Sequence, residues 1–170
     1  MSYNIEKENK NIDLFISLTE DILQNELFRG MTQYEHHGTT DTHFHSVYVA
    51  YTAMKVCEKI GADTEYIVRT SLLHDFYLYD WHIEKHEEYH AWYHPKAAVR
   101  NIRKYNVIPL DKKQEDMILR HMFPLAKAPN SLGGWVLTLS DKRCATADYI
   151  KTSKKFIPVY NEINRRVEAL

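Results

Sequence analysis

The chain has 170 residues, which suffices for one domain with a substantial core but not for two independent domains. A formal net charge of −1 argues against a protein that covers a nucleic-acid backbone or an anionic membrane. No apolar run is long enough to span a bilayer, and the first 15 residues lack an apolar signal-peptide core. Cys57 and Cys144 form no CxxC pair, so we expect two free thiols and a cytoplasmic location.

The first half of the chain predicts helices and no strand of period 2. A helix is expected over residues 11–28, where apolar side chains recur at helical spacing up to Gly30. A second helix is expected over residues 45–60. Its apolar residues mark one buried face: Val49, Ala50, Ala53, Val56, Cys57 and Ile60. Gly61 would end it, and Asp63 or Thr64 would cap a third helix that runs into His74-Asp75.

The second half begins with residues 76–93, which are rich in aromatics and histidines and are expected to form a structured loop. His94-Pro95 would open the next helix, with proline in its first turn. Asp111 would cap a helix ending near His121, and a long helix is expected after Gly133-Gly134. Pro158 would separate that helix from a last one. The prediction is an all-α fold of about seven helices.

Histidines and aspartates recur where these helices begin or end, or on their inward faces. His45 lies one turn before Val49, His94 one turn before Ala97, and Asp141 one turn after Leu137. A polar group on an apolar stripe is costly unless it has a partner, and a divalent metal would be such a partner. The predicted ligands are His45, His74, Asp75, His94, His121 and Asp141. Imidazole and carboxylate suit Fe, Mn, Co or Zn.

Each of these residues also has a structural interpretation. A buried histidine is usually a hydrogen-bonded core residue, and Asp141 could pair with Lys142 or Arg143. His-Asp is also a common dipeptide. The ordered set of residues on apolar faces favours the metal interpretation.

Five segments carry a resemblance to the HD-domain metal-dependent phosphohydrolases. They are HSVYVAYTA (45–53), SLLHDFYLYD (71–80), HPKAA (94–98), RHM (120–122) and LSDKRCATADY (139–149). The resemblance implies one all-α HD domain over residues 36–155, with residues 1–35 and 156–170 as terminal helices packed on it. It implies His45, His74, Asp75 and Asp141 as the ligands of one divalent metal.

His94 and His121 resemble two further ligands of family members that hold two metals. These members include the HD-GYP cyclic dinucleotide phosphodiesterases and the diadenosine tetraphosphate hydrolases. In both, an aspartate bridges the metals, a role that the resemblance assigns to Asp75. The Gly-Tyr-Pro element is missing, because Met-Phe-Pro follows His121, so cleavage of cyclic di-GMP is not expected.

The expected reaction is hydrolysis of a phosphomonoester or phosphoanhydride of a small metabolite, most readily a nucleotide, with metal-activated water as nucleophile. Asp75, Lys142 and His37 are the candidate catalytic residues. Lys142, His90 and His82 are the candidate substrate-binding residues, although Lys142 could equally be a solvated helix lysine. Lys96 and Arg120 are weaker candidates for phosphate contacts. Tyr77, Tyr79 and Trp81 could stack on a nucleobase or simply pack the loop.

Ligand types alone leave other functions open. Some HD-fold proteins with a mixed-valent diiron centre are oxygenases that cleave C–C or C–P bonds. The fold could also be a non-catalytic ligand-binding module, or a helix bundle with accidental histidines. No nucleic-acid or membrane partner is expected, and homodimerisation through the terminal helices is open.

Overall fold

The structure, a computed structural model, describes residues 2–36 and 40–170. Within them the chain forms eight α-helices and no β-strand, which confirms the predicted all-α fold. The helices are α1 (Ser2–Leu23), α2 (Glu26–Arg29), α3 (Thr42–Ile60), α4 (Thr64–Leu72), α5 (His90–Lys104), α6 (Lys112–Arg120), α7 (Leu132–Tyr149) and α8 (Ile157–Val167). Short 3-10 helices occupy Gly30–Gln33 and Ser153–Phe156.

Side chains that precede the helices satisfy the first backbone N–H groups. Asp63 accepts from the N–H of Tyr66 at the start of α4, and Asp111 forms a capping box with Gln114 at the start of α6. At the end of α3, Gly61 has a φ of +65°, a conformation that favours glycine. The predicted caps at Asp63 and Asp111 and the predicted stop at Gly61 are thus confirmed.

The predicted start of the first helix, at residue 11, is wrong. Helix α1 begins at Ser2, because contacts with other helices hold its polar first turns. The Tyr51 hydroxyl of α3 donates to Glu8, and Arg166 of α8 donates to Asn9 at 2.7 Å. The expected 11–28 helix also divides, since Asn25 caps α2 as a separate turn.

The predicted opening of a helix at His94-Pro95 is also wrong. Helix α5 begins one turn earlier, at His90, after the N-cap residue Tyr89. Pro95 therefore lies inside the helix, where it cannot donate a hydrogen bond to the carbonyl of Ala91. As a result His90 and His94 lie on one helix face, with ring centroids 4.8 Å apart.

Helix α3 is central, because it is buried on two sides. Phe44, Val47 and Met54 belong to the main core. Val49 and Ala53 belong to a second apolar cluster with residues of α7. Since α3 is held on both sides, its first turn, which carries His45, has a well-defined position.

Two further expectations concern the cysteines and the membrane. Cys57 and Cys144 are both free and buried. No helix among residues 2–36 and 40–170 combines the length and apolar character that crossing a bilayer requires.

Candidate metal centre and cavity

Five elements bring all six predicted metal ligands together. His45 lies in the first turn of α3, His94 in the second turn of α5 and Asp141 in the middle of α7. His74 and Asp75 follow the end of α4, and His121 follows the end of α6. None of the six is more than 5% exposed. The cluster therefore lies in the interior, where polar groups need partners.

One end of the cluster, the α3–α7 end, consists of His45, His74 and Asp141. Asp141 Oδ1 lies 3.1 Å from His45 Nε2 and 3.8 Å from His74 Nε2. Asp75 reaches this end with its Oδ2 atom, 3.4 Å from His74 Nε2. Three ligand atoms of this end, one each from His45, His74 and Asp141, lie within 4.8 Å of one another.

The other end, the α5–α6 end, consists of His94 and His121. Their Nε2 atoms are 3.0 Å apart and lie 3.3 Å and 3.7 Å from Asp75 Oδ1. Asp75 thus faces the two ends with different oxygens. One carboxylate therefore contacts the histidines of both ends.

Backbone carbonyls orient three of the four histidines. The Nδ1–H groups of His74, His94 and His121 donate to the carbonyls of Ser71, His90 and Ile118, at 2.8, 2.9 and 2.7 Å. A carbonyl can only accept, so these bonds place the proton on Nδ1 and leave an Nε2 lone pair facing the cluster. Anchoring of the second ring nitrogen in this way is typical of metal-ligating histidines.

A carboxylate orients the fourth histidine. His45 Nδ1 donates to Asp148 Oδ2 at 2.9 Å, and the Asp148 side chain is fully buried. Burial alone would lower the pKa of His45, but hydrogen bonds to Asp141 and Asp148 raise this pKa to about 9. At the α5–α6 end, burial and the neighbouring His94 and His74 lower the pKa of His121 to about 3. The two ends therefore differ in electrostatics as well as in composition.

The buried cluster fits a divalent metal. The Nε2 lone pairs of His94 and His121 face each other at 3.0 Å, so the pair needs a cation or a proton between its nitrogens. In the described part of the chain, His74 Nε2 and Asp75 Oδ1 are buried without a hydrogen-bond partner. Metal–ligand bonds of about 2.1 Å separate adjacent donors by roughly 3.0–3.4 Å, close to the separations seen here. The all-nitrogen and oxygen donor set suits Fe, Mn, Co or Zn.

A cavity of about 750 Å³ opens above the cluster. Asp75, His94, His121 and Asp141 contribute to its floor, and Lys142 contributes to its wall. The Lys142 ammonium donates to Asp141 Oδ2 at 2.8 Å, so the predicted ion pair between these two residues is present. The cavity gives a small molecule direct access to the candidate ligands.

The other predicted substrate contacts differ in position. His90 lines the cavity, and its ring stacks on Trp81 with centroids 4.8 Å apart. His82 is exposed and does not line the cavity, and its ring is tilted against that of Trp81 with centroids 3.9 Å apart. His37 lies among residues 37–39, outside the described residues. The substrate-binding and catalytic roles of these residues remain predictions.

The aromatic residues after Asp75 mainly pack the loop. Tyr77 is buried, and its hydroxyl lies 2.9 Å from Thr42 Oγ1. The Tyr79 hydroxyl lies 3.0 Å from His90 Nδ1, which helps to hold the cavity wall. Trp81 is the member of this group that lines the cavity.

Two residues of the site received no role from the sequence. Asp148 lies seven residues after Asp141 on α7, two helical turns along the same face, and that spacing could have identified it. His36 is buried beside the cluster, with its Nδ1 atom 3.8 Å from Asp75 Oδ2. No periodicity marks His36, because it precedes α3 in a loop.

Comparison with known proteins yields one match. The family model of the HD domain matches residues 42–151, well over half of the chain. No curated protein and no solved structure matches the chain. HD-domain proteins bind divalent metals, and most members of the superfamily are metal-dependent hydrolases. On this match, and with an all-α fold that agrees with it, the chain belongs to the HD-domain family.

Proposed function

We propose that this protein is a metal-dependent phosphohydrolase that acts on a phosphomonoester or phosphoanhydride of a nucleotide or similar small metabolite. The observation that supports it is the position of Asp75 at the floor of an open cavity, with Oδ2 towards the Nε2 atom of His74 and Oδ1 towards that of His94. A carboxylate shared by two ions, below a space that accepts a phosphoryl group, would suit hydrolysis at a two-metal centre.

In this proposal one ion is held by His45, His74, Asp141 and Asp75, and a second by His94, His121 and Asp75. Bound divalent ions would lower the pKa of water and neutralise negative charge on the phosphoryl group. The chain's own contribution is orientation, since carbonyl acceptors keep the Nε2 lone pairs of three histidines directed inward before any ion arrives, and the Asp148 carboxylate holds the ring of His45 in place.

Lys142 is the proposed phosphate contact on the protein side. Its ammonium group pairs with Asp141 at the cavity wall and is 39% exposed at the side chain. The Lys142 ammonium can therefore donate a hydrogen bond to a phosphoryl oxygen while it stays at the cavity wall. A positive charge at this position would stabilise negative charge on the transferred group.

The rim of the cavity favours a small substrate over a nucleic acid. Three acidic residues line it, Glu84, Glu87 and Glu88, and the basic residue Lys85 lies among them. The ammonium group of Lys96 pairs with the Glu88 carboxylate at 2.7 Å. An acidic rim repels a polyanion, whereas a single phosphoryl group can be neutralised at the floor. A volume of about 750 Å³ is in the usual range for small-molecule sites.

The test combines metal analysis with a substrate screen. Protein purified without chelators is analysed for metal and then assayed for phosphate release from p-nitrophenyl phosphate, nucleotides and dinucleotide polyphosphates with Mn²⁺, Fe²⁺, Co²⁺ or Zn²⁺. We expect about two ions per chain and metal-dependent phosphate release. Asp75→Ala should lose both, while Asp13→Ala, a change at an exposed aspartate paired with Arg166, should lose neither.

Oxygen consumption separates this proposal from the oxygenase alternative, because a phosphohydrolase needs no dioxygen. Substrate-dependent oxygen uptake without phosphate release would favour a diiron oxygenase. Failure to bind any of the four metals after reconstitution would contradict both enzymes and favour a non-catalytic module. Homodimerisation and a cytoplasmic location remain predictions.

A further inference from the structure

His36 is held next to the proposed metal centre by the loop that precedes α3. Its backbone N–H donates to the carbonyl of Thr40 at 2.9 Å. The neighbouring residues Glu35 and Asp41 form an antiparallel bridge, and Thr42 N–H donates to the carbonyl of Tyr34 at 2.9 Å. These pairings fix both sides of the loop, so the position of the His36 backbone is defined.

The His36 side chain points into the cluster. It is 7% exposed, its ring stacks on that of His45 with centroids 3.8 Å apart, and it lines the cavity. Its Nδ1 atom lies 3.8 Å from Asp75 Oδ2. That separation equals the one between His74 Nε2 and Asp141 Oδ1, two residues assigned to one ion above. One ligand atom from each of His36, His45 and Asp75 lies within 4.8 Å of the others.

The stacked ring of His36 also carries a nitrogen donor to the cluster. A second imidazole on the face of His45 adds a further nitrogen beside the carboxylate oxygen that already serves the α3–α7 end. An imidazole is a strong ligand for the same metals as the rest of the donor set. His36 also approaches from the cavity side, whereas His45 and His74 are fully buried below.

We propose that His36 is a seventh protein ligand, which binds the ion at the α3–α7 end from the cavity side. This inference rests on the metal centre of the proposed function. It adds a residue to that centre and places a histidine at the coordination position nearest to an incoming substrate.

The test uses Co²⁺ as the probe, because its visible absorption reports the ligands and its affinity can be measured against a chelator. His36→Phe retains a ring that can stack on His45 but removes the nitrogen donor. We expect this variant to bind one of two Co²⁺ ions at least tenfold more weakly than the wild type, with a changed visible spectrum. His36→Ala should show the same weakening, and added imidazole should restore the wild-type spectrum.

The outcomes separate this inference from the proposed function. If His36→Phe matches the wild type in Co²⁺ affinity and spectrum, His36 only stacks and the inference is wrong, while the phosphohydrolase proposal stands on its own assay. Weakening without recovery by imidazole in His36→Ala also counts against ligation. A wild-type protein that binds no Co²⁺ overturns the inference about His36, whereas the phosphohydrolase proposal is decided by the test with all four metals.

Discussion

The two ends of the ligand cluster use the same residue types in different electrostatic settings. At the α3–α7 end, Asp141 contacts His45 directly and Asp148 supports His45 from behind. At the α5–α6 end, two histidines face each other, and their nearest carboxylate is the shared Asp75. The comparison shows how nearby charge, rather than residue type, sets the behaviour of a buried histidine.

This difference implies unequal metal binding. Carboxylates next to the α3–α7 end add negative charge, which attracts a cation and strengthens the ligand. The α5–α6 end has neutral histidines and one shared carboxylate oxygen. We therefore expect the α3–α7 end to bind its ion first and more tightly.

The largest difference between the two ends should appear when one ligand is removed from each end in turn. Asp141→Ala should remove the tighter ion and lower kcat by at least about 100-fold, since both a ligand and the partner of Lys142 are lost. His121→Ala should leave that tighter ion in place. Elemental analysis and a chelator titration of both variants would measure the difference. Equal loss of both ions in both variants would show that the ends bind as one unit.

Asp148→Asn tests the carboxylate behind His45. The amide keeps the shape but loses the negative charge, so the ion at the α3–α7 end should bind about 10–100-fold more weakly. Affinity at the α5–α6 end, measured in the same titration, is the internal control. Equal weakening at both ends would point to a general loss of packing instead.

Lys142→Met tests whether the lysine at the α3–α7 end contacts the substrate. With the ammonium removed and an unbranched apolar stem of similar length retained, kcat/KM should fall about tenfold while the metal content stays at the wild-type value. Steady-state kinetics and elemental analysis would test this expectation, with Lys155→Met, a change at an exposed lysine, as the control. Loss of metal in Lys142→Met would mean that the lysine positions Asp141 rather than contacting phosphate.

The pH dependence of the chelator-treated protein provides the subtlest test. The pKa of His45 is raised to about 9, so it should stay charged in the folded state and contribute stability that is lost as pH rises through 9. The pKa of His121 is lowered to about 3, so its contribution should be present above about pH 6.5 and lost as pH falls toward 3. Titration of the imidazole resonances by NMR would measure the two pKa values separately. A shared midpoint for His45 and His121 would contradict the electrostatic difference between the two ends.

The fold was largely predictable because its signals are local. Aspartate caps, the glycine stop at Gly61 and the apolar stripe of α3 act within one or two helical turns. The error at α1 arose where contacts distant in sequence override such signals, and the error at α5 arose because a proline can lie inside a helix as well as in its first turn. Arg166 holds the first turns of α1, and α5 continues upstream of Pro95 despite the broken hydrogen bond.

By itself the sequence determined which residues to expect in one buried polar cluster, because histidines and aspartates on apolar helical faces need partners there. Its six predicted ligands do converge in the structure. Only the tertiary structure decided how they pair: which oxygen of Asp75 faces which end, that Asp148 supports His45, and that His36 lies on its ring. The physical reason is that sequence patterns report neighbours within a helix, whereas these contacts join residues on different elements whose positions depend on packing of the whole core.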